Sequence, residues 1–67
     1  MGKNLAMKEA RKEKGLSQDA LATAVGVSRQ TINAIEKGDY NPTIRLCINI
    51  CRVLGLTLND LFWEEET

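Results

Sequence analysis

The sequence predicts an all-α fold, a compact five-helix bundle, on three observations. Apolar residues recur at helical spacing, with no run of strand-like alternation. Glycine follows four of the apolar segments (Gly15, Gly26, Gly38, Gly55), and a Ser or Thr (Ser17, Ser28, Thr43, Thr57) stands ahead of the next. The only aromatics are Tyr40, Phe62 and Trp63, so Leu, Ile, Val and Ala must fill the core, which suits packed helices. At 67 residues the chain is expected to be a single domain, with 63–67 as a C-terminal tail.

The elements follow in order. Helix one is expected over residues 4–14, with Leu5, Ala6, Met7 and Ala10 on its apolar side and Lys8, Glu9, Lys12 and Glu13 on the wet side. Gly15 stops it. Ser17 then caps helix two, Leu16 and Leu21 form a hydrophobic staple, and Asp19 suits the positive helix end. That helix runs to Ala24 or Val25, and Gly26 takes the turn. Val27, Ser28 and Ile32 repeat the staple and cap, so helix three spans Arg29 to Lys37 before Gly38. Pro42 keeps Asp39–Pro42 in a loop. Thr43 caps helix four, Ile44 to Leu54. Its stripe is Ile44, Cys47, Ile48, Cys51 and Leu54, widened by Leu46, Ile50 and Val53. Leu56, Thr57, Asp60 and Leu61 give the staple and cap a third time around a short helix, Leu58 to Phe62.

Net charge is zero, yet it is unevenly spread. Residues 1–37 hold seven cations against four carboxylates, a net of +3, and residues 38–67 hold two against five, a net of −3. Such a dipolar chain can offer its basic end to phosphates and keep its acidic tail away. Cys47 and Cys51 share one helix face. Zinc binding is the alternative reading, but there is no His and no second Cys pair, and an i,i+4 spacing within a helix is poor for a disulfide. They read as small buried hydrophobes in a reducing compartment. No segment is apolar enough for a membrane span, no signal peptide is evident, and Ala6 stands where a myristoylation site wants Ser or Thr. A cytoplasmic, nucleoid-associated protein is expected. No catalytic constellation, metal site, cofactor motif or small-molecule site is visible, so the chain is not expected to be an enzyme.

The positive signal is the stretch Gln18–Lys37, two short helices joined by a tight turn. Arg29 can bond bidentately to guanine and Gln30 to adenine, and Asn33 shares their face one turn on. These three are the candidate base-reading residues. Gln18 and Ser28 sit at helix N-termini that suit phosphate. Thr31, Lys37, Tyr40 and Asn41 complete the candidate DNA-backbone set. The expected partner is the major groove of double-stranded DNA.

The elements Arg11–Gln18 (RKEKGLSQ), Leu21–Gly38 (LATAVGVSRQTINAIEKG), Tyr40–Thr43 (YNPT) and the closing Leu58–Phe62 (LNDLF) resemble the Cro/C1-type, or XRE, helix-turn-helix family. Within it the chain is similar to small stand-alone regulators of the cytolysin-repressor type. The resemblance implies a lambda-repressor-like five-helix bundle, with the helix-turn-helix in helices two and three, that binds operator DNA as a symmetric dimer. It also implies that Arg11 pairs with Glu36 inside the domain. Ala10 departs from the family's larger residue, and the two Cys stand where Ala is common. Helix four is apolar nearly all round, and Leu56, Leu58, Phe62 and Trp63 crowd the far end, so these four are the expected homodimer interface. The alternative is an antitoxin-type protein-interaction module with secondary DNA binding.

Overall fold

The computed structural model describes residues 4–62. Within them run α1 (Leu5–Glu13), α2 (Gln18–Val25), α3 (Arg29–Lys37), α4 (Ile44–Leu54) and α5 (Leu58–Phe62). Each begins where a short polar side chain replaces a missing backbone partner. Ser17 accepts from the Ala20 N–H, Ser28 from Thr31 and Thr43 from Leu46. Before α5 the exchange is reciprocal: the Thr57 N–H donates to Asp60 Oδ2 at 3.0 Å, and the Asp60 N–H donates to Thr57 Oγ1 at 3.2 Å. The stops share one form. The residue after each glycine donates back to a carbonyl five residues earlier: Leu16 to Arg11, Val27 to Ala22, Asp39 to Ala34 and Leu56 to Cys51.

Helix one departs from the expectation at its start. Asn4 is not its first residue but its cap, and Oδ1 accepts from the Met7 N–H at 3.0 Å. Its Nδ2 donates to the Leu61 carbonyl at 2.8 Å, and its backbone N–H donates to the Glu36 carbonyl at 3.0 Å. One residue thus ties the start of α1 to the ends of α3 and α5.

The core draws on every helix: Met7, Leu21, Ala22, Ile32, Ile35, Leu46, Ile50, Cys51, Leu54 and Leu61 form one cluster. Helix α2 packs on α3 and α4, α5 packs on α4, and α1 lies across α3 and α5. Two sequence expectations need correction. Leu5 is 59% exposed and Ala6 is exposed, because the inward stripe of α1 is Met7 and Arg11, one turn apart, with Ala10 beside them. In α4 the buried arc is Leu46, Cys47, Ile50, Cys51 and Leu54, the residues that meet α2 and α5. Ile44 and Ile48 therefore point outward, 68% and 38% exposed. An apolar count around a helix gives the width of its stripe but not its centre. No helix among the described residues is long and apolar enough to cross a membrane.

Cys47 and Cys51 are buried free thiols. Burial pushes both above the ordinary thiol pKa, and for Cys51 the neighbouring Cys47 and Asp60 add to it. The folded state therefore favours the neutral thiol. Its contribution to stability is full below the ordinary thiol pKa, about 8.5, and falls as the pH rises through that value toward the folded ones. Urea midpoints measured across this range should decline for the native protein and decline less for the Cys47→Ala, Cys51→Ala double variant. Asn4→Ala removes a cap and strands a carbonyl, and should cost about 1–3 kcal/mol. An unchanged urea midpoint would show that the Asn4 side chain fastens nothing.

Candidate nucleic-acid interface

Packing fixes which way α3 faces. Leu21 and Ala22 of α2 and Ile32 and Ile35 of α3 enter the core side by side. The connection is three residues, Gly26-Val27-Ser28. Gly26 has φ +80°, and a Cβ there would meet nothing within 4 Å. Glycine is needed for the left-handed backbone, not for room. Its N–H donates to the Ala22 carbonyl at 2.8 Å. Ser28 closes the turn and caps the next helix in one step, which leaves no slack between the two helices.

With Ile32, Ile35 and Glu36 turned inward, 100° per residue sets Arg29, Gln30, Asn33 and Lys37 within an arc of roughly 100°. Arg29, Gln30 and Lys37 are exposed and Asn33 is half-buried. None of the side-chain hydrogen bonds within the described residues uses Arg29, Gln30 or Asn33. Their donors and acceptors are available to a ligand. A helix with side chains is about 10–12 Å across and fits a major groove about 12 Å wide.

The candidate backbone contacts are more varied. Tyr40 and Asn41 are exposed on the loop after α3. The Ser28 hydroxyl is already engaged, 3.2 Å from the Thr31 N–H and 3.0 Å from its hydroxyl, and Thr31 itself is half-buried. Gln18 is half-buried, and its Nε2 donates to Glu36 Oε1 at 3.0 Å. That bond uses one amide hydrogen. The second hydrogen, and the backbone N–H at the open start of α2, remain to face an anion.

Glu36 is the centre of a buried polar network. Arg11 Nε donates to Glu36 Oε2 at 2.7 Å and Nη2 to Oε1 at 3.3 Å, while Nη1 donates to the Leu16 carbonyl at 2.8 Å. Arg11 and Glu36 are only 7% and 6% exposed. No buried side-chain N or O among the described residues lacks a partner. Sequence reasoning missed the third member, Gln18, and missed Asn4. Asn is a favoured N-cap, so Asn4 carried a readable signal; the Gln18 amide had none, because only the fold brings it to Glu36. Of the expected dimer residues, Leu56 is 37% exposed, Leu58 and Phe62 are half-buried against the core, and Trp63 lies outside the described residues.

Comparison with known proteins gives a consistent picture. The family model described as helix-turn-helix matches residues 7–61. The chain is 48% identical over 60 residues to the HTH-type transcriptional regulator YgzD of Bacillus subtilis (strain 168), covering 90% of this chain and 91% of that one. Its fold is similar to the restriction-modification controller protein C.AhdI of Aeromonas hydrophila, with TM-score 0.81 and 29% identity over 88% of this chain and 89% of that one. It is also similar to a chain of the SinR protein/SinI protein complex, with TM-score 0.79 and 34% identity over 87% of this chain and 57% of that one.

Breaking a buried, hydrogen-bonded ion pair costs roughly 3–5 kcal/mol, a large share of what so small a domain has. Arg11→Ala should therefore lower the melting temperature by about 10 °C or more. A variant that melts with the wild type would remove the pair from any structural role.

Proposed function

Because the chain belongs to the Cro/C1-type helix-turn-helix family of transcriptional regulators, we propose that it is a repressor that occludes a palindromic operator, binding as a homodimer. In this reading Arg29, Gln30 and Asn33 read bases in the major groove. Gln18, Ser28, Thr31, Lys37, Tyr40 and Asn41 hold the DNA backbone. The observation that carries it is the free face of α3: three planar or forked side chains side by side, unused by the protein, on a helix locked to the core. Residues with no internal work, held in a rigid array, are what direct readout needs.

Dimerisation enters because one nine-residue helix reads few base pairs. Two copies related by a two-fold axis would set their α3 helices about 34 Å apart, one DNA turn, and so read a palindrome. Leu56, Leu58, Phe62 and Trp63 remain the proposed contact, with Leu56 the most exposed of the first three.

Selection of bound sites from random duplex DNA should yield a palindrome, and affinity should fall steeply with salt. Arg29→Ala should cost about 1–3 kcal/mol and relax the preference at one base position per half-site. Equal weakening on every sequence would reduce Arg29 to a phosphate contact. Selection that returns no preferred sequence would sink the operator reading.

A further inference from the structure

The inward turn of Leu46, Cys47, Ile50, Cys51 and Leu54 leaves α4 with an opposite face that nothing in the described fold covers. Ile44, Arg45, Ile48, Asn49 and Arg52 line an open depression of about 370 Å³ there. Ile44 and Ile48 are 68% and 38% exposed. Arg45 and Arg52 are exposed, and neither has an ion-pair partner among the described residues. The lining contains two cations and no carboxylate. It is too open to enclose a small molecule, but it suits an extended segment bearing apolar and negative groups.

The chain carries such a segment: Trp63-Glu64-Glu65-Glu66, one large aromatic followed by three carboxylates. Arginine stacks on aromatic faces and grips carboxylates bidentately, so this pair of arginines matches both parts. Charge alone does not say whether the segment comes from the same copy, but reach does. Helix α5 sits on the core side of α4, where Leu58, Leu61 and Phe62 join Leu46, Ile50 and Leu54. The buried and outward arcs of α4 are centred roughly 160° apart. Half the circumference of a helix about 10–12 Å across is about 16–19 Å. Fully extended, the segment Trp63–Glu66 spans at most about 14 Å. That is shorter than the path round α4 to its own depression, which favours the depression of a second copy, where no such limit applies.

We propose that the outward face of α4, at Ile44, Arg45, Ile48 and Arg52, receives the acidic segment Trp63–Glu66 of a second copy of this chain. This rests on the dimer proposed above and adds a reciprocal, charge-based contact to it. Ile44, Ile48 and Arg52 recur at every fourth position along α4, and the exposed Leu56 of the proposed apolar contact follows just beyond its end, after Gly55.

A charge swap tests it on the full chain. One variant carries Arg45→Glu and Arg52→Glu; the other carries Glu64→Lys, Glu65→Lys and Glu66→Lys. Sedimentation velocity over roughly 1–100 µM should show each variant dimerising about tenfold or more weakly than wild type. An equimolar mixture should recover the dimer, since both contacts in the mixed pair are again complementary. The wild-type dimer should weaken between about 50 and about 500 mM NaCl. Either variant dimerising like wild type overturns the proposal and leaves the homodimer standing. Recovery only when both sets sit in one chain, and not in the mixture, overturns it in favour of docking within a copy. Loss of DNA affinity by the arginine variant with its dimer intact makes this face a phosphate contact instead. A wild type that is monomeric with and without DNA removes the homodimer and this contact together.

Discussion

The buried pair between Arg11 and Glu36 is what the orientation of the third helix depends on. Apolar contacts at Ile32 and Ile35 hold α3 against the core, but they are non-directional and tolerate a few degrees of roll. A guanidinium fork on a carboxylate does not. Glu36 takes two bonds from α1 and one from Gln18 of α2, so three helices converge on one side chain. Bringing two charges out of water is expensive, and apolar replacements of similar size often match or exceed such a pair in stability. What the pair adds to the apolar contacts is direction. Roll of α3 would carry Arg29, Gln30 and Asn33 with it. The bond to Gln18 extends the same definition to the open start of α2, on the side proposed to meet the DNA backbone.

Around that pair the chain is built from a repeated connector. Gly15-Leu16-Ser17, Gly26-Val27-Ser28 and Gly55-Leu56-Thr57 each end one helix, insert an apolar residue and cap the next. In the first two the middle residue, Leu16 or Val27, packs against the core between the stop and the start, whereas Leu56 is 37% exposed. So short a connector leaves little freedom between successive helices. The link after α3 breaks the rule. Asp39, Tyr40, Asn41 and Pro42 stand between Gly38 and the cap Thr43, and they hold two of the proposed backbone contacts. The chain is regular where it only needs to turn and longer where it offers side chains outward.

These local devices are why so much of the fold was legible in the sequence. Caps, staples and glycine stops act within about six residues of one another, so Ser17, Ser28, Thr43 and the Thr57–Asp60 box could be read directly, and five helices stand where they were expected. What failed was rotation. Hydrophobicity alone places Leu5, Ile44 and Ile48 inward, yet they lie outward, because neighbouring helices decide which arc is covered. The inward stripe of α1 includes a charged residue, Arg11, which hydrophobic periodicity alone would place in water; only the family resemblance implies its interior pairing. Of the candidate site, the outward placement of Arg29 and Gln30 was legible because α3 is strongly two-faced. The engagement of Gln18 and the bonds of Asn4 to Glu36 and Leu61 depend on contacts across 18 to 57 positions, beyond any local signal; only the Asn4 cap is local.

Asn4 also has a bearing on how the chain folds. Most helix caps and stops in this protein are near-neighbour contacts that each segment can make alone. The Asn4 bond to Leu61 spans 57 positions, nearly the whole described chain. The entropy of closing a loop rises only slowly with its length, so the span itself is not the obstacle. The obstacle is order: α3 and α5 must both be in place before one side chain and its backbone can meet them. The seam where the beginning of α1 meets the end of α5 therefore closes only with both partners in place. Sub-global opening in native-state hydrogen exchange should start from the same seam.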